Sequence, residues 1–148
     1  MSQDILIAGV GGQGTILASR ILACAGILSG NFSRTGETIG MSQRGGCVVS
    51  HVRIGSEEKS SYLPMGSGDL LIGFELAETA RNLGRLSPKG KCVANLQQIK
   101  PVPVSLGLQP YLARDMKEAI QKQVKDPLFI DGYTLANEAG SVKAVNVG

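Results

Sequence analysis

Cysteine and histidine are scarce in this chain, and their scarcity excludes several kinds of metal chemistry. The 148 residues contain three cysteines, Cys24, Cys47 and Cys92, with no C-x-x-C pair, and a single histidine, His51. One such chain cannot supply the four thiolates of an iron–sulfur cluster or the ligands of a structural zinc ion. An odd, sparse set of cysteines is typical of a reducing compartment. Because each cysteine lies in an apolar run, we expect all three to be buried.

Aromatic residues and an excess of charge are also lacking. Aromatics make up 4% of the chain and tryptophan is absent, so side chains on which bases or flavins could stack are few. The 15 lysines and arginines outweigh 12 acids by a net charge of only +3, and the cations are scattered along the chain. This distribution argues against a nucleic-acid partner, which would require a basic stripe.

Long hydrophobic segments are missing as well. The chain does not begin with a basic region followed by an apolar core, as a signal peptide would. The apolar helix expected over residues 16–28 is too short to span a bilayer and contains Arg20. We therefore expect a cytoplasmic protein with no membrane partner, and one domain over residues 1–148, since no linker or repeat interrupts the chain.

Glycine is abundant, and the stretch at residues 9–14 organises the rest of the chain. Residues 4–10 form an apolar, β-branched run that is typical of a buried parallel strand. Four glycines occur within residues 9–14, and apolar residues then recur at the spacing of a core-facing helical stripe. The recurring residues are Leu17, Ile21, Cys24, Ala25 and Leu28. This pattern predicts a strand, a tight glycine turn and a helix.

The glycine turn satisfies the pattern G-x-G-x-x-G. Without a Cβ, the backbone N–H groups of such a turn can approach an anion at the positive end of the helix. The candidate binding residues for a phosphate or pyrophosphate are Gly9, Gly11, Gly12, Gln13 and Gly14. A close crossing of strand and helix without any ligand explains the glycines equally well, so both interpretations stay open.

A dinucleotide site needs a further part that this sequence does not supply in the usual place. An acid about 20 residues after the glycine turn, at the end of the second strand, holds the ribose hydroxyls. We expect that strand near residues 31–35, where it offers Arg34 rather than an acid, and Glu37 follows in an expected Gly-Glu-Thr turn. An arginine there could suit a 2′-phosphate, but the missing acid argues against a plain NAD site.

Residues 34–46 have neither a helical nor a strand period. They are polar, rich in glycine and charged, and irregular loops of this length within compact domains are often functional. The candidate site residues in this stretch are Glu37, Ser42, Gln43, Arg44, Gly45 and Gly46. The functional interpretation is a surface where Arg44 and the glycine backbone meet an anion or a partner chain. The alternative is a long solvated turn.

The remainder of the chain alternates between strand and helix patterns. Strands are expected at residues 47–54, 69–74, 91–95 and 128–131, and helices at residues 75–83, 111–124 and 135–139. Residues 87–90 are expected to form a turn and residues 101–104 an extended segment. The alternation predicts an α/β protein, a Rossmann-like three-layer α/β/α sandwich with a mostly parallel sheet. His51 is expected to be a hydrogen-bonded structural residue rather than a catalyst.

Two blocks in this order resemble one protein family. The glycine loop at residues 9–14, followed by Gly-Met-Ser-Gln-Arg-Gly-Gly at residues 40–46, resembles the gamma subunit or domain of the 2-oxoacid:ferredoxin oxidoreductases. Within that family the likeness is to the small subunits of the indolepyruvate type. It continues through residues 48–55, Asn95, residues 131–140 and Lys143-Ala144-Val145-Asn146, and runs over essentially the whole chain. Two departures are Ile39, where the family often has histidine, and the end of the chain at Gly148, beyond which the family usually continues as helix.

The resemblance implies a small subunit that supports the CoA-dependent oxidative decarboxylation of an aryl 2-oxoacid to an acyl-CoA. It implies that a large partner subunit binds thiamine diphosphate, magnesium and 4Fe-4S clusters in a hetero-oligomer, with CoA as co-substrate and ferredoxin as electron acceptor. The chain would then be inactive alone and would lack the C-terminal helical residues of its relatives. No catalytic residue or metal ligand is assigned to it. The alternatives are a stand-alone NAD(P)-binding protein and a non-catalytic interaction module.

Overall fold

A six-stranded sheet forms the centre of the computed structural model, which describes residues 2–40, 46–55, 59–100 and 102–145. The strands are β1 Gln3–Val10, β2 Ser33–Ile39, β3 Cys47–Ile54, β4 Gly68–Gly73, β5 Leu86–Asn95 and β6 Leu128–Ile130. The α-helices are α1 Thr15–Leu28, α2 Leu76–Arg81, α3 Val102–Ser105, α4 Ala113–Gln123 and α5 Gly132–Glu138. Short 3₁₀ helices lie at Leu83–Arg85 and Val142–Ala144. No helix within the described residues is long and apolar enough to cross a membrane.

The sheet is mostly parallel, as the alternation of elements predicts. Its strand order is β2-β3-β1-β4-β5-β6, and the neighbours from β1 through β6 pair in parallel. Only β3 runs against its neighbours, β2 and β1. Ile5 and Ile7 of β1 pack with α1 on one face, whereas Leu6 and Ala8 pack with α2 and α4 on the other. The α/β/α layering is therefore confirmed.

This topology collects most of the functional candidates at one edge of the sheet. The parallel strands β1, β4, β5 and β6 end there, and β2 ends and antiparallel β3 begins there. Helices α1 and α2 leave the ends of the adjacent strands β1 and β4 toward opposite faces. Such a divergence opens a crevice where open α/β sheets commonly bind ligands.

The side of helix α1 that packs on the sheet is not the side that its sequence pattern predicts. The stripe expected in the core is exposed: Leu17 is 52%, Ile21 46% and Leu28 88% accessible. Small side chains contact the sheet instead, and a Cβ added at Gly26 would overlap the hydroxyl of Ser33. Leu22 and Ala23 also pack on this side of the helix, whereas the larger side chains of the expected stripe point outward.

The place of each cysteine in the fold, and not its neighbours in the sequence, decides whether it is buried. Cys92 is buried, as expected, because it lies on β5 between the neighbouring strands β4 and β6. Cys24 and Cys47 are exposed, so the prediction that all three are buried is wrong. Cys24 lies on the outward face of α1, and Cys47 is the first residue of β3, at the edge of the sheet where β1 ends. Apolar neighbours in the sequence therefore do not determine whether either side chain is buried.

Three local expectations are also corrected. Strand β2 extends to Ile39 because it pairs with β3 along its whole length, so Glu37 lies within a strand and not in a turn. Residues 87–90 belong to β5, where a register shift opposite Gly68 accommodates Pro88 as a bulge. Residues 101–104 were expected to be extended, but Val102–Ser105 forms a short helix, in which Pro103 occupies the first turn, where no intrahelical N–H bond is lost.

A buried ion pair fixes the opposite edge of the sheet. The Nε and Nη2 atoms of Arg53 donate to the two carboxylate oxygens of Asp4 at 2.9 and 2.8 Å, and the side chains are only 6% and 8% exposed. Nη1 of Arg53 donates to the carbonyl of Ser60 at 3.0 Å, while Asp69 accepts from the N–H of Asp4. The pair therefore ties the segment after β3 to the starts of β1 and β4.

His51 is a structural residue, as its position in a strand predicts. Its Nδ1 atom accepts from the N–H of Leu63 at 3.0 Å, and its ring meets the Tyr62 ring edge-on at 5.3 Å. Burial, followed by the positive charges of Arg85 and Arg53, lowers the pKa of His51 from 6.5 to about 4. The imidazole is therefore neutral at physiological pH.

Removing one member of the buried ion pair should destabilise the protein strongly. We expect Asp4→Leu to lower the free energy of unfolding by about 3–5 kcal/mol, because Arg53 remains buried without a counter-charge. The double variant Asp4→Leu/Arg53→Met should recover much of this loss. Urea denaturation measures both, with Arg114→Ala in the exposed Arg114–Glu118 pair as the control. A single variant as stable as the wild type would contradict the structural role.

Neutral His51 should make stability depend on pH in a defined window. The folded-state pKa of about 4 lies below the ordinary 6.5, so the unfolded state takes up the proton first as the pH falls. This stabilisation is complete above pH 6.5 and is lost toward pH 4, by up to about 3 kcal/mol. His51→Gln keeps an acceptor for Leu63 and should lose less stability between pH 7 and pH 4. Identical losses in urea denaturation would count against this assignment.

Candidate functional site at the carboxyl edge of the sheet

The glycines of the β1–α1 turn are required for two separate reasons. Gly12 and Gly14 have φ angles of 94° and 81°, in the left-handed region that side chains disfavour, and Gly14 is the N-cap of α1. At Gly9 the reason is space: a Cβ there would lie 2.8 Å from Oε1 of Gln13 and 2.9 Å from Cγ2 of Thr15. The turn is therefore both tightly wound and tightly packed.

The side chain of Gln13 fills the crevice between the ends of β1 and β4. Its Oε1 accepts from the N–H of Val10 at 2.8 Å, and its Nε2 donates to the carbonyl of Phe74 at 3.1 Å. The same carbonyl accepts from Nδ2 of Asn95 at 3.2 Å, and Oδ1 of Asn95 accepts from the N–H of Gly132 at 3.0 Å. We call this chain of contacts the amide bridge; it joins the ends of β1, β4, β5 and β6.

A pocket of about 530 Å³ opens beside the glycine turn, on the side away from the amide bridge. Its lining residues are Gly11, Gly12, Gly14, Thr15, Ile16, Ile39 and Val48. The N–H groups of Gly12, Gly14, Thr15 and Ile16 donate to no acceptor in the described ranges. Together with the positive end of the 14-residue helix α1, these free donors favour an anion.

Thr15 is a pocket residue that the sequence pattern does not single out. It is 3% exposed and lies in the lining of the pocket. Only its position directly after the last glycine, at the first residue of α1, could have indicated it. The pocket therefore combines free backbone donors and one hydroxyl with an apolar wall of Ile39 and Val48.

The second candidate block is only partly within the described residues. Gly46 belongs to the site: its carbonyl accepts from the N–H of Gly11 at 2.9 Å. Gly40 donates to the carbonyl of Cys47 at 2.8 Å, so the residues on either side of this block are anchored at the mouth of the pocket. Ser42, Gln43, Arg44 and Gly45 lie outside the described residues.

Glu37 lies on the same strand as the pocket-lining Ile39, two residues before it, and therefore on the same face of β2. It is half-buried and pairs in register with Ser50 of β3. In a dinucleotide fold the second parallel strand lies directly beside the first, whereas here antiparallel β3 separates β2 from β1. The geometry therefore weighs against the usual ribose-binding arrangement.

A buried glutamate organises the segment after β5. Glu75 is 1% exposed; its Oε2 accepts from the N–H of Glu78, and its Oε1 accepts from the N–H of Ile99 and from the hydroxyl of Tyr111. Burial, then the bond to Glu75, raises the pKa of Tyr111 well above its ordinary value. Sequence reasoning places Glu75 at a helix start but misses these long-range partners, since Tyr111 is 36 residues away.

None of the described residues forms a group of three or more His, Cys, Asp or Glu that could hold a metal ion.

A pocket of about 690 Å³ at the opposite edge contains Asp4, Arg53 and Asp69 in its lining. These charges bind one another and Asp4's backbone, so that pocket is structural.

Comparison with known proteins agrees with the fold and the blocks. Residues 4–147 match the family described as pyruvate ferredoxin/flavodoxin oxidoreductase. The chain is 37% identical to the indolepyruvate oxidoreductase subunit IorB of Thermococcus kodakarensis, over 97% of this chain and 72% of that protein. It is 36% identical to the subunit of the same name from Archaeoglobus fulgidus, over 99% of this chain and 73% of that protein.

Solved structures share the fold at lower identity. The gamma subunit of a keto/oxoacid ferredoxin oxidoreductase from Geobacter sulfurreducens superposes with a TM-score of 0.64 and 22% identity, over 97% of this chain and 70% of that chain. A 2-oxoglutarate:ferredoxin oxidoreductase from Magnetococcus marinus superposes with a TM-score of 0.69 and 20% identity, over 98% of this chain and 22% of that chain. With the glycine turn and the six-stranded sheet in place, the chain belongs to the pyruvate ferredoxin/flavodoxin oxidoreductase family.

Proposed function

We propose that this chain is the small subunit of an indolepyruvate-type 2-oxoacid:ferredoxin oxidoreductase. The observation that carries the proposal is the 37% identity to an indolepyruvate oxidoreductase subunit over 97% of the chain. The complex would convert an aryl 2-oxoacid and CoA into an acyl-CoA and carbon dioxide, with two electrons passing to ferredoxin. A larger partner subunit would carry the thiamine diphosphate, magnesium and 4Fe-4S clusters, and this chain would complete the assembly.

We assign the glycine-turn pocket to an anionic group, either a CoA phosphate or the carboxylate of the oxoacid. The free N–H groups of Gly12 and Gly14, the first turn of α1 and the hydroxyl of Thr15 supply the donors. Gly9 and Gly11 shape the turn, and Gly46 anchors it. An anion suits this pocket better than an apolar group, because these donors would otherwise be buried without partners on ligand binding.

We further propose that residues 42–45 supply the remaining contacts. Ser42, Gln43, Arg44 and Gly45 follow the anchored Gly40, and the planar guanidinium of Arg44 matches a phosphate or a carboxylate. Glu37, on the same strand face as Ile39, would orient this arginine or a ligand hydroxyl.

Gln13 is a positioning residue in this proposal. Both ends of its carboxamide are engaged within the amide bridge, so it holds the glycine turn and does not reach the ligand.

A stand-alone NAD(P)-binding protein is the second candidate, and the G-x-G-x-x-G turn is the observation that favours it. The insertion of β3 between β1 and β2 counts against it, as does the position of Glu37 inside a strand instead of at its end. The two functions differ in what the purified chain retains: a nucleotide in one case and a larger iron–sulfur subunit in the other.

The proposed function predicts activity only in the assembled complex. We expect the pure chain to reduce no ferredoxin with indolepyruvate, CoA and thiamine diphosphate, because its three cysteines cannot supply the four thiolates of an iron–sulfur cluster. Co-expression with the larger iron–sulfur subunit should restore acyl-CoA formation. Turnover by the chain alone, or a nucleotide bound to it in stoichiometric amount, would overturn the proposal.

The pocket assignment predicts a specific kinetic change in that complex. Thr15→Val keeps the shape of the side chain but removes the hydroxyl, so the Michaelis constant for CoA or the oxoacid should rise about three- to tenfold. Thr38→Val is the matched control, since Thr38 lies on the opposite strand face from Ile39. Both variants should keep the wild-type melting temperature and assembly. Unchanged constants for Thr15→Val would remove this residue from the site.

A further inference from the structure

Helix α1 presents an apolar surface to the solvent. Leu17, Ile21, Cys24 and Leu28 succeed one another at helical spacing on its outward side, and we call them the outer stripe. Leu28 is 88% exposed, and the neighbouring Ile27 is 58% exposed. The helix contains no acid, and its single charged residue is Arg20.

Nothing within the described residues explains this stripe as core. The inner side of α1 already packs on the sheet through Ala18, Leu22 and Ala23, so the helix is apolar on both sides. A helix that is apolar all round is normally buried. Helix α4 shows what a solvated helix of this protein looks like: Ile120 is buried, while Arg114, Lys117 and Lys122 are exposed. The contrast indicates that another surface covers α1.

The outer stripe is continuous with the candidate site. Its first member, Leu17, directly follows Ile16, which lines the glycine-turn pocket together with Ile39, itself 56% exposed. A surface that covers the stripe would therefore extend over the pocket mouth. A covering surface that reaches Ile16 would add to the wall of this pocket.

We propose that the outer stripe is the docking surface for the larger, thiamine- and iron–sulfur-carrying subunit, which closes the glycine-turn pocket on binding. This inference rests on the proposed function. The docking partner presents an apolar surface with a carboxylate opposite Arg20, the one charge on the helix. A second copy fits less well, because a two-fold axis near the middle of α1 would bring two Arg20 side chains together without any acid.

The test compares two exposed positions in the full chain. Ile21 on the stripe and Leu135 on α5 are each 46% exposed, so Ile21→Glu and Leu135→Glu place the same charge in equally accessible sites. Leu28→Glu is a second stripe variant that cannot disturb the core, since that side chain is 88% exposed. Circular dichroism and urea denaturation verify folding, calorimetry measures the affinity for the larger subunit, and sedimentation measures the oligomeric state.

We expect Ile21→Glu and Leu28→Glu to weaken association with the larger subunit by about thirtyfold or more, as at interface hot spots. Leu135→Glu should bind within about twofold of the wild type. Wild-type affinity in both folded stripe variants would overturn the inference while leaving the proposed function intact. A wild-type dimer that Ile21→Glu dissociates, with unchanged binding of the larger subunit, would instead assign the stripe to a second copy. Failure of the wild type itself to bind would overturn the proposed function, and this inference with it.

Discussion

The carboxamide of Gln13 spans the gap where β1 and β4 part, and the carboxyl edge of the sheet depends on it. In most open α/β proteins that crevice is left for a ligand. Here the crevice is filled from within, because Gln13 bonds to Val10 on one side and to the Phe74 carbonyl on the other. Asn95 extends the same carbonyl contact to β5 and β6. The pocket beside the glycine turn consequently lies on the side of Ile39 and Val48.

Close packing at the glycine turn and along α1 decides which side chains of this helix face the solvent. Gly9 and Gly26 leave no room for a Cβ, so helix and sheet approach through small side chains on the inner side of α1. Leu17, Ile21, Ile27 and Leu28 are left outside, where they form an apolar surface that begins beside the pocket. We assign this surface to a partner subunit, and the named relatives are themselves subunits of oxidoreductases.

Much of the architecture could be predicted from short patterns. The β-branched run at Cys47–Ile54 and the glycine turn before α1 lie where the sequence places them, since strand propensity and left-handed backbone are local properties. The bulge of β5 at Pro88 and the full length of β2 could not be predicted, because a neighbouring strand decides them. Only the glycine-turn part of the pocket could be predicted. Thr15 and Ile39 come together solely through the pairing of β2, β3 and β1, which the sequence does not reveal.

The sequence by itself determined the class of fold, the position of the glycine turn and the family to which the chain belongs. Each of these depends on stretches of residues that are contiguous in the chain. The tertiary structure alone decided which side of α1 faces the solvent, which cysteines are buried and what Gln13, Glu75 and Asn95 bind. These outcomes depend on the distance between elements far apart in the chain, such as the 61 residues that separate Gln13 from Phe74. A periodic pattern identifies an apolar face, but only packing decides what covers it.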